Sequence, residues 1–159
     1  MGIDVGLNSF AVLSDGTDIE NPRWYRAGQA KLRVAQRRVA RRKNKRSNRR
    51  RKAVLLLQRA HARTINQRSD FHHKLSRNIV NKFGLIAVED LNVRGLASGM
   101  LAKSVHDAGW SQFLNYLTYK AANAGRELVK VDPRGTSRFA LGVVDEERKV
   151  GQWRGSSFE

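Results

Sequence analysis

From Asn21 to Ser69 the chain contains no aspartate or glutamate, yet 18 of its 31 Lys and Arg residues lie there. A tract of one sign cannot fold into a surface laced with its own ion pairs, although helix faces normally gain from mixed charges three or four residues apart. The clusters Arg37-Arg38, Arg41-Arg42-Lys43, Lys45-Arg46 and Arg49-Arg50-Arg51-Lys52 repel one another until another partner neutralises them. Phosphate does so, and the release of condensed counterions supplies affinity. Arg outnumbers Lys in the tract, which suits bidentate phosphate contacts. Those residues are the candidate nucleic-acid contacts, and they would position a strand without reading its bases.

The whole chain repeats the message. Its formal net charge is +17 and its pI about 11.3, a surplus that asks for a polyanion. Nucleic acid comes first and an anionic membrane surface second. Insertion into a membrane is not expected, because no apolar run approaches the roughly 20 residues of a spanning helix. The opening Met-Gly-Ile-Asp-Val-Gly-Leu lacks the basic-then-apolar layout of a secretory signal. With no cysteine, neither disulfides nor thiolate zinc sites can form. A cytoplasmic, nucleoid-associated location is the expectation. A hydrophobic content of 40% over 159 residues provides for one domain with a real core.

Periodicity divides the chain further. Residues 2–15 read as two strands joined by a tight hairpin, with Ile3, Val5, Phe10, Val12 and Leu13 apolar and Gly6 and Asn8 interrupting. Ser14-Asp15-Gly16 is a turn signal. Residues 18–26, with Trp24 and Tyr25, are expected to supply a third strand. From Gly28 to Lys82 the spacing is helical: Leu32, Ala35 and Val39 mark a narrow stripe, and Lys45 to Asn48 a break. Leu57, His61, Thr64, Arg68, Phe71, Leu75 and Ile79 line one face of a second helix. Phe83-Gly84 would close it with a glycine cap. Leu85 to Glu89 is continuously apolar until its final acid, as a buried central strand would be. Residues 92–103 read as a loop, 108–124 as a helix with Trp110, Phe113, Leu114 and Leu117 inward, and 127–131 as a last strand before Asp132-Pro133. The order β-β-β, long helical insert, β, α, β predicts an α/β fold of the ribonuclease-H-like (RuvC-like) kind, with a mixed sheet and a basic helical insertion over about 28–83.

Two carboxylates stand out against this layout. Asp4 lies in the first strand and Glu89 ends the buried one, beside Asp90. Acids at such positions are costly unless paired. A divalent metal would offset that cost, and carboxylate oxygens suit Mg²⁺ or Mn²⁺. Two acids on neighbouring strands make half of a two-metal phosphodiesterase site. Capping a turn or pairing with an arginine would account for either acid alone. An acid followed by glycine in an opening strand also begins actin-like ATPases, although phosphate-loop glycines are missing here. The four histidines suit surface or phosphate-contacting positions better than zinc, since His61 and His72 are not at the i,i+4 spacing of a helical metal pair.

Gly2-Ile3-Asp4-Val5-Gly6-Leu7, followed by Phe10 to Gly16, resembles the first RuvC motif of the TnpB/OrfB proteins of bacterial and archaeal insertion sequences. Asn66-Gln67-Arg68 with Asp70-Phe71 and His73 to Ser76 resembles the helix before that family's second motif. Val88-Glu89-Asp90-Leu91-Asn92-Val93 is similar to the second motif itself. Val131-Asp132-Pro133 with Thr136-Ser137 resembles the approach to its zinc ribbon. The resemblance runs from Gly2 to about Arg138. It implies an RNA-guided DNA endonuclease related to type V CRISPR effectors, with guide RNA and DNA as partners. Its metal-dependent domain cuts with three carboxylates, of which Asp4 would be the first and Glu89 the second.

The chain departs from the family after Ser137. The family's Cys-x-x-Cys ribbon and third catalytic Asp do not follow, and Phe139 to Glu159 contains no cysteine. Residues 1–138 therefore read as a partial RuvC-like domain and 139–159 as an atypical tail. Phe-Ala-Leu-Gly-Val-Val can be written TTT GCT CTG GGT GTG GTx; from the third base the same letters read Cys-Ser-Gly-Cys-Gly. A one-base deletion near codon 139 would explain the tail. Asp145, Glu146 and Glu147 have nothing in the sequence to anchor them beside the first strand, and Asp132 before its proline suits a turn. The expectation is a nuclease lineage that still binds nucleic acid but cuts poorly or not at all. The other reading is a non-catalytic basic RNA- or DNA-binding protein whose acids are structural.

Overall fold

In the computed structural model, which describes residues 1–96 and 98–132, β1 (Gly2–Val5), β2 (Ser9–Leu13) and β3 (Asp18–Glu20) form an antiparallel meander. The turn before β3 uses Gly16 at φ 83, a left-handed conformation that glycine adopts without steric cost. The third strand is shorter than its composition suggests. Pro22 cannot donate to a ladder, and the Asn21 side chain accepts the Arg23 N–H at 3.2 Å, which turns the backbone. Trp24 and Tyr25 therefore open helix α1 (Trp24–Ala40) instead of extending β3. Asp107 caps that helix from elsewhere in the fold, accepting the Tyr25 N–H at 2.7 Å.

Helix α2 (Asn48–Lys82) begins where Ser47 accepts the Arg50 N–H and packs along α1, with Leu32 and Ala53 buried. Its end differs from expectation. Phe83 is extended at φ −122, and Gly84 is not among the positive-φ glycines, so no glycine cap forms. The chain passes directly into β4 (Leu85–Glu89), which lies between β1 and β5 (Glu127–Val131), parallel to both. The sheet order is β3-β2-β1-β4-β5. In β4 burial alternates: Ile86 and Val88 face the core while Leu85 is half exposed. An unbroken apolar run thus serves a strand with one covered face among the described residues.

Residues 92–103 are not simply a loop. They hold α3 (Val93–Leu96), with the Asn92 side chain accepting the Gly95 N–H, and the start of α4 (Ala102–Ala108). Gly109, at φ +66, separates α4 from α5 (Trp110–Asn123). The single helix read over 108–124 is therefore two. A Cβ at Gly109 would also lie 3.1 Å from Arg68 Cδ and 3.2 Å from His72 Cε1. Helices α2 and α5 cover one face of the sheet. Phe10, Ile79, Val80, Ile86, Phe113 and Leu117 are each at most 2% exposed, and they form the centre of the core. The division at residue 138 and the reading of 139–159 lie outside the described residues.

Candidate active site and nucleic-acid interface

β1 sets Ile3 beside Val88 of β4, and both side chains enter the core at 4% and 3% exposure. One step further along a strand the side chain turns to the opposite face. Asp4 and Glu89 occupy those next positions, so parallel pairing brings the two acids side by side on the sheet face away from α2 and α5. Asp4 is exposed and Glu89 half buried. The Asp4 carboxyl is raised above its ordinary range, first by partial burial and second by the charge of Glu89. The site is thus two oxygen donors held together by main-chain pairing. A hard divalent cation is the kind of group such a pair could hold.

Asp90 is directed elsewhere. Its N–H pairs with the Val131 carbonyl, and its carboxylate lies 3.5 Å from Lys130. Asp132 follows Val131, the residue that β5 sets beside Glu89. Among the described residues no group of three or more His, Cys, Asp or Glu could hold a metal.

The eleven basic candidates fall at one end of the α1–α2 hairpin, in the last turn of α1, the connector and the first turn of α2. Arg50 and Arg42 differ from the rest. Arg50 Nη1 donates to the carbonyls of Val39 and Arg42, and Arg42 Nη1 donates to the carbonyl of Arg38. Both spend hydrogen bonds on the end of α1, where cations also suit the helix dipole. Arg37, Arg38, Arg41, Lys43, Lys45, Arg46, Arg49, Arg51 and Lys52 are exposed. Four consecutive cations at the start of α2 oppose the helix dipole, a placement that favours a bound anion. At 1.5 Å per residue this end stands about 40 Å along α2 from the turns that pack on the sheet. The structure keeps the basic end and the carboxylate pair apart.

The histidine expectation fails at His72. It is fully buried among Phe10, Phe71 and Phe113, and its Nε2 donates to the Ala108 carbonyl at 3.0 Å. Burial, with Arg68 nearby, pulls its pKa down to about 4. Its neighbour His73 is exposed and stacks on Tyr116. That ring pair, with Tyr119 and the buried Lys120, was not singled out from sequence. The available signal was an aromatic-aromatic-lysine spacing of i, i+3, i+4 on a helix without acids.

Residues 1–99 match the family described as "Probable transposase" (OrfB_IS605). This chain belongs to the TnpB/OrfB family. Both carboxylates and the whole basic hairpin fall inside that match. Residues 110–154 match a second family, "Cas12f1-like, TNB domain", which covers α5 and β5 and continues through the stretch without cysteines. Among curated proteins, the chain is 44% identical over 133 residues to a Streptomyces pristinaespiralis protein named "Putative RNA-guided DNA endonuclease"; the match covers 83% of this chain and 33% of that protein. It is 31% identical over 170 residues to InsQ of Escherichia coli K12, which carries the same description, covering 96% of this chain and 42% of InsQ. A mimivirus TnpB-like protein, L79, is 28% identical over 102 residues, 60% of this chain and 20% of its own length. The TnpB/OrfB chain thus spans between a third and about two fifths of the length of these two relatives. No described helix is long and apolar enough to cross a membrane.

Proposed function

We propose that this chain is a RuvC-like polypeptide of the RNA-guided endonuclease lineage that binds guide RNA and DNA through its basic hairpin and cuts weakly or not at all by itself. The juxtaposition of Asp4 and Glu89 carries the reading. The sheet order β3-β2-β1-β4-β5, with β2 antiparallel and β1, β4 and β5 parallel, supports a ribonuclease-H-like fold with α1 and α2 as its basic insertion. In such an arrangement Asp4 and Glu89 would hold Mg²⁺ or Mn²⁺. The ion, when bound, supplies charge stabilisation for the attacking and leaving oxygens of a phosphodiester. The protein's own part is to hold the two carboxylates in register, where partial burial and then the charge of Glu89 raise Asp4. Exposed cations at the hairpin end hold phosphate by charge, leaving sequence recognition to base pairing.

Weak cutting belongs to the same reading: Asp4 and Glu89 are two acids, and among the described residues no group of three or more His, Cys, Asp or Glu could hold a metal. Residues 1–138 then act as the partial nuclease domain. A purely structural role for the acids is the second reading, and metal binding separates the two. Calorimetric titration with Mn²⁺ should show weak binding that Asp4→Asn removes. The same substitution should leave the melting temperature at pH 7 unchanged or roughly 2 °C higher, because it relieves the repulsion from Glu89. Equal Mn²⁺ binding by the variant would overturn the metal assignment.

A further inference from the structure

A small aromatic platform lies on the flank where α5 meets α2, away from both the carboxylate pair and the hairpin end. The His73 ring stacks on Tyr116 with centroids 4.0 Å apart and planes 23° from parallel. Tyr119 meets Tyr116 edge-on at 5.9 Å. Tyr116 is fixed from behind: its hydroxyl lies 3.1 Å from Ser69 Oγ, and Gln112 Nε2 donates to it at 3.0 Å. The 4%-exposed Lys120 donates to the His73 carbonyl at 2.7 Å and to Ser76 Oγ at 2.8 Å. Its ammonium lies 5.6 and 5.9 Å from the two tyrosine ring centres.

Helix packing accounts for Tyr116 and Lys120, which bind α5 to α2. It does not account for the two outer rings. His73 has one face covered by Tyr116 yet remains exposed, so its open surface is the other face and edge. Tyr119 is 43% exposed. The surroundings are mainly basic. α5 contains no acid, α2 contains none after Asp70, and Asp70 is paired with Lys74 at 2.7 Å. Arg77 lies one turn beyond His73 on the same face and is exposed. Pre-ordered exposed rings beside cations are what an unpaired nucleobase and its phosphate require.

We infer that His73 and Tyr119 form a stacking site for an unpaired base of single-stranded nucleic acid, with Arg77 taking the adjacent phosphate. The site is some 35 Å along α2 from the basic hairpin end, by helix rise. It therefore contacts a different part of a bound strand. The inference rests on the nucleic-acid binding proposed above but names a separate surface and contact.

The test uses the full chain with a short dye-labelled single-stranded oligonucleotide, followed by fluorescence anisotropy, and compares it with the same strand carrying abasic positions. Intact strand should bind about five- to twentyfold more tightly than abasic strand, a base-stacking preference. His73→Ala and Tyr119→Ala should each reduce that ratio towards one, while the abasic strand binds all three proteins alike. An intact-to-abasic ratio of one in the unsubstituted chain overturns the stacking site without depending on any variant's folding. A preference that survives both substitutions overturns the assignment to these rings. Absence of binding to either strand overturns this site together with the general nucleic-acid reading.

Discussion

His72 shows how one side chain's surroundings reverse a reading made from its type. Its ring lies among three phenylalanines and donates its Nε2–H to the Ala108 carbonyl, and burial holds it neutral with a pKa of about 4 against an ordinary 6.5. The unfolded chain binds the proton more readily, and stability falls as pH drops from about 6.5 towards 4. The full effect of such a shift is about 3 kcal/mol at most. His72→Phe, which keeps a ring in the aromatic cluster, should flatten the stability curve over that window in denaturant titrations at pH 7 and pH 4.5. Parallel curves for the two proteins would mean that His72 does not titrate as a buried neutral group. Asp4 and Glu89 were the opposite case. An acid in an opening strand and another ending an apolar strand were visible as types and positions, and strand pairing supplied the adjacency. His73, Tyr116, Tyr119 and Lys120 were not legible, because their cluster depends on the rotation of α5 about α2, which spacing within either helix does not fix.

The elements were most legible where one signal dominated. The three-and-four spacing of α2 and the apolar run of β4 survive in the fold. Boundaries failed where local chemistry intervened. Pro22 and the Asn21 turn cut β3 short, although Trp24 and Tyr25 favour strands in isolation. Gly109 divided a helix whose apolar spacing runs almost unbroken across it. That glycine combines a left-handed φ of +66 with close approach to Arg68 and His72, and Arg68 itself donates to the His106 carbonyl at 2.8 Å. A left-handed non-glycine residue costs about 1–2 kcal/mol, and the crowding adds to it. Gly109→Ala should therefore destabilise the fold by about 2 kcal/mol or more in urea unfolding. A change below about 0.5 kcal/mol would show that the α4–α5 junction relaxes freely.

At the scale of the whole molecule, charge and fold divide the work. The sheet sets two acids side by side on one face, α2 and α5 cover the other, and the α1–α2 hairpin carries its cations out to one end. The charge asymmetry was fully legible, since an acid-free tract can be read without knowing any contact. The separation of roughly 40 Å between basic end and sheet-packing turns was not, because it depends on the length of an uninterrupted α2. At this scale the proposed function requires this TnpB/OrfB chain to hold nucleic acid by phosphate contacts at that end. The most direct test is RNA affinity as a function of salt concentration, for the chain and for a variant with Arg49, Arg51 and Lys52 replaced by Gln. Log affinity should fall steeply with log salt, with a slope steeper than about −4, and the triple variant should lose about two to three units of slope. A flat dependence, or one that the three substitutions leave unchanged, would contradict it.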